Sequence, residues 1–175
     1  MQAHEQQAME LIRPYKDSIH RVLNIGFVSL PDATVRIVES LGITAEVLHL
    51  EIWAANLARG QQSRPEDLFL LGDVRQIPSL ELGLFDLIVW WHGPEHIYPQ
   101  ELVQAIRGLE QSLTEQGHII LGSPDGWQAQ TNDDGNQHND HVSGPDTEFY
   151  QSLGYQVHRV WAPLWSLVAY KGPGA

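Results

Sequence analysis

The chain predicts an α/β fold: a doubly wound, mostly parallel seven-stranded sheet that ends in an antiparallel hairpin. Short apolar runs of strand length alternate with segments of helical spacing, the pattern of a sheet covered by helices on both faces. Glycines and acidic residues recur just after the runs, where such sheets bind ligands. The last two runs are joined through Ala162-Pro163-Leu164, too few residues for a crossover helix and enough for a hairpin.

Each element follows in order. Residues 5–17 read as an amphipathic helix, and residues 21–27 (RVLNIGF) as the first strand. Asp32 is placed to cap the next helix, which Gly42 stops. Residues 45–51 (AEVLHLE) form the second strand, and residues 54–59 a short helix closed by Gly60. Residues 67–71 form the third strand and residues 85–91 (FDLIVWW) the fourth, whose unbroken apolar character marks burial on both faces. Leu102, Val103, Ile106, Leu109 and Leu113 recur at helical spacing over residues 100–113. Gln116-Gly117 ends that helix, and residues 118–121 make the fifth strand. Residues 123–145 are rich in Gly, Asn, Asp, Gln and His, and read as a long polar loop, a candidate lid. Residues 146–153 form a short helix before Gly154, and residues 155–161 and 166–170 the closing hairpin.

Composition narrows the class. The 175 residues suit one domain, 1–175, and no apolar run approaches the roughly 18 residues of a membrane span. No apolar leader opens the chain and no cysteine occurs in it, so thiolate catalysis and iron–sulfur chemistry are excluded and a cytoplasmic setting is expected. Ten basic residues stand against 22 acidic ones, a net charge of -12, with Lys16 and Lys171 the two lysines. A nucleic-acid binder needs a cationic footprint, so a small-molecule partner is expected instead. Oligomeric state is not legible.

The strand ends supply the candidate site. Gly26 follows the first strand, Glu51 ends the second, Gly72-Asp73 follows the third and His92-Gly93 the fourth. Taken in order, Val22-Leu23-Asn24-Ile25-Gly26, Leu50-Glu51-Ile52, Gly72-Asp73-Val74, Phe85-Asp86-Leu87-Ile88-Val89 and Ile119-Ile120-Leu121 resemble the motifs of the class I S-adenosylmethionine (AdoMet)-dependent methyltransferases over nearly the whole chain. Pro124-Asp125-Gly126-Trp127, Gln130, Gly135-Asn136 and His141-Val142-Ser143 are similar to a bacterial branch associated with sugar and glycan biosynthesis.

The resemblance implies a Rossmann-like fold, S-adenosyl-L-methionine as cofactor, and methyl transfer to an oxygen or nitrogen of a small acceptor. It implies that Asn24, Gly26, Glu51, Ile52, Asp73, Val74 and Trp91 bind the cofactor, Glu51 through the ribose hydroxyls and Asp73 through the adenine amino group. His92 and His141 are candidate general bases, because histidine titrates near neutrality. Glu95, His96, Trp127 and Asn136 are candidate acceptor-binding residues. The chain departs from the family at Asn24, where an acid is usual, and at Phe27 and Val28, where glycines are. A β-branched residue resists the close backbone approach that glycine allows. A non-catalytic ligand- or partner-binding domain is therefore the alternative.

A different chemistry is also spelled in the sequence. His92-Gly-Pro-Glu95-His96 matches the H-x-x-E-H pattern of a zinc peptidase group. That chemistry needs both histidines on one helical face, and Gly93-Pro94 opposes a helix there. No bound metal is expected on this reading.

Overall fold

In a computed structural model describing residues 2–27, 32–130, 135–162 and 164–174, the strands are β1 (Arg21–Ile25), β2 (Glu46–Glu51), β3 (Leu68–Leu71), β4 (Phe85–Trp91), β5 (Leu113–Pro124), β6 (Gln156–Ala162) and β7 (Leu164–Lys171). They form one sheet in the order β3-β2-β1-β4-β5-β7-β6. The first five strands pair in parallel, and β7 inserts antiparallel between β5 and β6. The chain steps outward from β1 to β3, then crosses back to the other side of β1 as β4. Connections therefore diverge at the carboxyl ends of β1 and β4, which opens a crevice at that switch point.

The pleat divides the side chains between two cores. Ile88 and Trp90 of β4 point to one face, where Leu102, Ile106 and Leu109 of α4 (Pro99–Gln111) meet them. Leu87, Val89 and Trp91 point to the other face, against Ala8 and Ile12 of α1 (Ala3–Ile12) and Ile37 and Val38 of α2 (Ala33–Ser40). This alternation follows from the period-2 geometry of a strand. Asp32 caps α2 as expected, accepting from the N–H groups of Thr34 and Val35.

Several boundaries differ from the sequence expectation. The first helix ends at Ile12, and residues 13–18 continue as a 3-10 turn; Pro14 lacks an N–H and its ring opposes a further α-turn. β1 stops at Ile25, because Gly26 turns the chain at φ +80°. Gly60 does not close its helix: α3 (Ala54–Ser63) runs through it. A Cβ at Gly60 would lie 2.4 Å from Phe69 Cε1, so this glycine lets the helix lie close on β3. The third strand begins at Leu68 rather than 67, since Asp67 N–H closes a turn on Arg64 O and pairing with β2 starts at Leu68. The fourth helix ends at Gln111 and β5 already pairs Leu113 with Phe85, so Gln116-Gly117 lies within the strand. α5 (Thr147–Ser152) precedes the hairpin. Val28, a main departure from the resembling family, lies outside the described residues, as do residues 131–134 of the polar loop. Among the described residues no helix is long and apolar enough to cross a membrane.

Candidate active site

The crevice at the strand ends is an open cleft. Gly26, Glu51, Ile52, Asp73, Val74 and Trp91 line it, together with His92, His96, Tyr98, Asn136 and Val142. Gly26 bends away from β1 while its N–H bonds Leu50 O at 2.9 Å. A Cβ on Gly26 would meet nothing within 4 Å, so its backbone faces open space.

Glu51 is 4% exposed. Its Oε2 accepts from Phe27 N and its Oε1 from Trp53 N, each at 2.8 Å. Two neutral backbone donors thus fix the carboxylate without cancelling its charge, and lone pairs remain on both oxygens for a diol. Asp73 is held differently. Arg75 Nε lies 3.0 Å from both of its oxygens, and Arg75 N bonds Oδ1 at 2.9 Å. Burial alone would raise the Asp73 pKa, but the Arg75 contacts outweigh it and hold the carboxyl below its ordinary range. Ile52 and Val74 supply apolar surface beside these acids. Trp91 lies nearby, and its buried Nε1–H has no partner among the described residues.

Asn24 is placed elsewhere. It does not line the main cleft; it borders a second cavity shared with Gln2, His4, Glu5, Arg36, Trp91 and His92. Its Nδ2 donates to Gly26 O and Asp32 Oδ1, each at 3.1 Å, and faces His49 Nδ1 at 2.9 Å; its Oδ1 accepts from Thr34 Oγ1 at 2.6 Å. This amide is an internal strut. Beside it, burial and then the neighbouring His92 lower the His4 pKa to about 4. Glu5 is buried in an ion pair with Arg36.

The turn after β4 supplies more of the lining. His92 follows that strand at φ +48°, a region that side chains rarely adopt, and it lines both cavities. Its Nδ1 lies 3.5 Å from Glu95 Oε1. Burial lowers the His92 pKa, but the Glu95 carboxylate raises it by more, and the net shift is upward. Pro94–His96 is a 3-10 turn, so His92 and His96 do not share the helical face that a zinc peptidase requires. His96 Nδ1–H donates to Asp140 O at 3.1 Å, and His141 Nδ1–H to Gln128 O at 2.7 Å.

The described part of the polar loop is tied to this turn. Val142 N and Ser143 N donate to Glu95 O at 2.9 and 3.0 Å, and Ser143 Oγ to Pro94 O at 3.0 Å. Asn136 is buried and accepts from His138 N. Trp127 does not line the cleft and is 62% exposed. Neither Glu95 nor His141 lines it directly; their neighbours His96, Asp140 and Val142 do.

Sequence reading missed Asn56, Arg75 and Tyr98 in the cleft lining. Arg75 carried a usable signal, a cation two residues past a strand-end acid. The Asn24–His49 contact had one too: a lone polar residue inside each of two apolar strands.

No family model matches the chain, and no curated protein does. Solved structures match its fold. The N-methyltransferase NodS from Bradyrhizobium japonicum WM9, in complex with S-adenosyl-L-homocysteine, superposes with a TM-score of 0.67 at 18% identity, covering 99% of this chain and 89% of that one. The Burkholderia thailandensis 1,6-didemethyltoxoflavin-N1-methyltransferase, with bound 1,6-didemethyltoxoflavin and S-adenosylhomocysteine, gives 0.66 at 14%, covering 99% and 80%. An O-methyltransferase family protein from Burkholderia thailandensis gives 0.65 at 8%; this chain covers only 57% of its length. The fold is that of the Rossmann-like methyltransferases. At these identities the likeness is one of fold, and activity does not follow from fold.

Proposed function

We propose that the chain transfers a methyl group from S-adenosyl-L-methionine to an oxygen or nitrogen of a small-molecule acceptor. The observation that supports this most is Glu51, a buried carboxylate fixed by two backbone N–H groups beside the open backbone of Gly26. An acid so held can accept from both hydroxyls of a ribose, while Ile52 and Val74 offer apolar faces to a flat base. Asp73 lies one strand further, where the adenine amino group belongs on this reading. The sulfonium of the cofactor supplies an already activated methyl group, so the chain's task is mainly to bind and orient.

His92 is the candidate base. It stands at the end of β4 where the two cavities meet, and it takes the proton that a hydroxyl or amine acceptor loses. Asn136 and His96 line the acceptor wall. The resemblance of residues 124–143 to the glycan-associated branch supports a sugar derivative as acceptor, with the exposed ring of Trp127 as a platform outside the cleft. Phe27 favours a second reading, a binding domain without transfer. It is buried against Phe69 and His49, where the resembling family has a glycine.

Calorimetric titration with S-adenosylhomocysteine (AdoHcy) tests the proposal. One equivalent bound is the expected result. Neither heat nor a melting shift at millimolar ligand would end both readings that involve this cofactor.

A further inference from the structure

We propose that Glu95, His96 and His141 form a divalent-cation site in the acceptor wall of the cleft. Two imidazoles and one carboxylate suit Zn2+ and neighbouring divalent transition metals. One ligating atom from each residue lies within 4.8 Å of the others. Zn2+ bonds of about 2.0–2.2 Å set tetrahedral ligands about 3.4 Å apart, so the three atoms need to draw together by no more than about 1.4 Å.

Two independent features point to a ligand here. Glu95 is 2% exposed, and its Oε2 has no partner among the described residues. A buried carboxylate oxygen without a donor is costly, and a cation relieves that cost. Backbone carbonyls also select one tautomer of each histidine. Each donates its Nδ1–H to a backbone carbonyl, Asp140 O or Gln128 O, and a carbonyl can only accept. The free lone pair is therefore on Nε2 in each ring. Carbonyls hold and orient metal-binding imidazoles in this way. The two rings sit 5.0 Å apart, and the bonds from Val142 and Ser143 to the Pro94–Glu95 backbone keep His141 in place.

The H-x-x-E-H spelling is thus half relevant. Its Glu and second His contribute, and the third ligand comes from the polar loop instead of from a helix. Three protein ligands leave a position for water or a substrate oxygen, and His96 lines the cleft. The role of the ion, unlike its binding, rests on the methyl-transfer reading. A hydroxyl ligated there loses its proton to His92 and its oxygen takes the methyl group. The electrons of the broken S–C bond stay on sulfur as a neutral thioether.

The test uses the full chain, stripped with EDTA and titrated separately with Zn2+ and Co2+ by calorimetry, with Co2+ visible absorption read in parallel. One ion per chain is expected. His96→Ala, His141→Ala and Glu95→Gln should each weaken binding by at least about tenfold, while the exposed His20→Ala leaves it unchanged. Thermal melting of the same samples reports on fold, and AdoHcy titration on the methyl-transfer reading. A protein that binds Co2+ but not AdoHcy keeps the ion site and loses the methyl-transfer reading. A protein that binds AdoHcy but no ion overturns the site alone. Ion binding that survives all three substitutions also overturns it.

Discussion

Two buried glutamates flank the cleft, and their surroundings differ. Glu51 stands at a strand end with each oxygen held by a backbone N–H. Glu95 stands in a 3-10 turn, with one oxygen 3.5 Å from His92 and the other without a partner among the described residues. The first is complete within the protein and keeps its charge for a neutral donor such as a hydroxyl. The second is incomplete, and its charge asks for a cation. Burial alone would have treated them as equivalent. Their partners separate them.

The largest expected effect is at Glu51. Glu51→Ala removes the acceptor for a ribose diol and should weaken AdoHcy binding roughly 100-fold, about 3 kcal/mol. It also strands the N–H groups of Phe27 and Trp53, lowering stability by about 2–4 kcal/mol. Calorimetry and thermal melting read both effects. A variant that melts and binds like the parent would show that Glu51 is neither support nor ligand.

Glu95→Leu should act in the opposite direction. In EDTA, replacing an unsatisfied carboxylate by an apolar side chain of similar size is expected to stabilise the protein by about 1 kcal/mol, visible as a rise of a few degrees in Tm. A fall in Tm would mean that Glu95 is already satisfied, and the contrast with Glu51 would collapse.

The smallest effect is at Asp73, whose charge Arg75 already offsets. Asp73→Ala is expected to weaken AdoHcy binding about threefold, roughly 0.7 kcal/mol. A loss equal to that of Glu51→Ala, measured in the same titration, would show that the arginine does not blunt this acid.

The mostly parallel sheet was legible because the first four strands are apolar runs with a glycine or an acid at or just after their ends, and the short link before β7 forces a hairpin. Helix ends were less so. Gly60 reads as a stop, yet it serves contact with Phe69, a neighbour that local sequence cannot name. Glu51 and Asp73 were legible as strand-end acids, whereas the difference between them lies in Arg75 and in two backbone N–H groups. Glu95, His96 and His141 were each noticed but not joined. The joining contacts are backbone hydrogen bonds from the polar loop to residues 94 and 95, and low apolar content says nothing about such bonds. Asn24 and His49 were visible as polar interruptions in two strands, but only the parallel register, which sets them opposite each other, shows that they answer one another.

Asn24 has one more consequence. In the resembling family an acid usually occupies this strand position; here the acid of this corner is Asp32, on the helix cap, 3.1 Å from the Asn24 amide. Burial pushes the Asp32 pKa up, so a second carboxylate alongside would compound the strain, and the amide donates where an acid would repel. The carboxyl of this corner thus stands on the helix cap and the amide on the strand. The two positions are therefore coupled in this chain: Asn24→Asp puts two carboxylates in this buried corner, and Asp32→Asn leaves it with none.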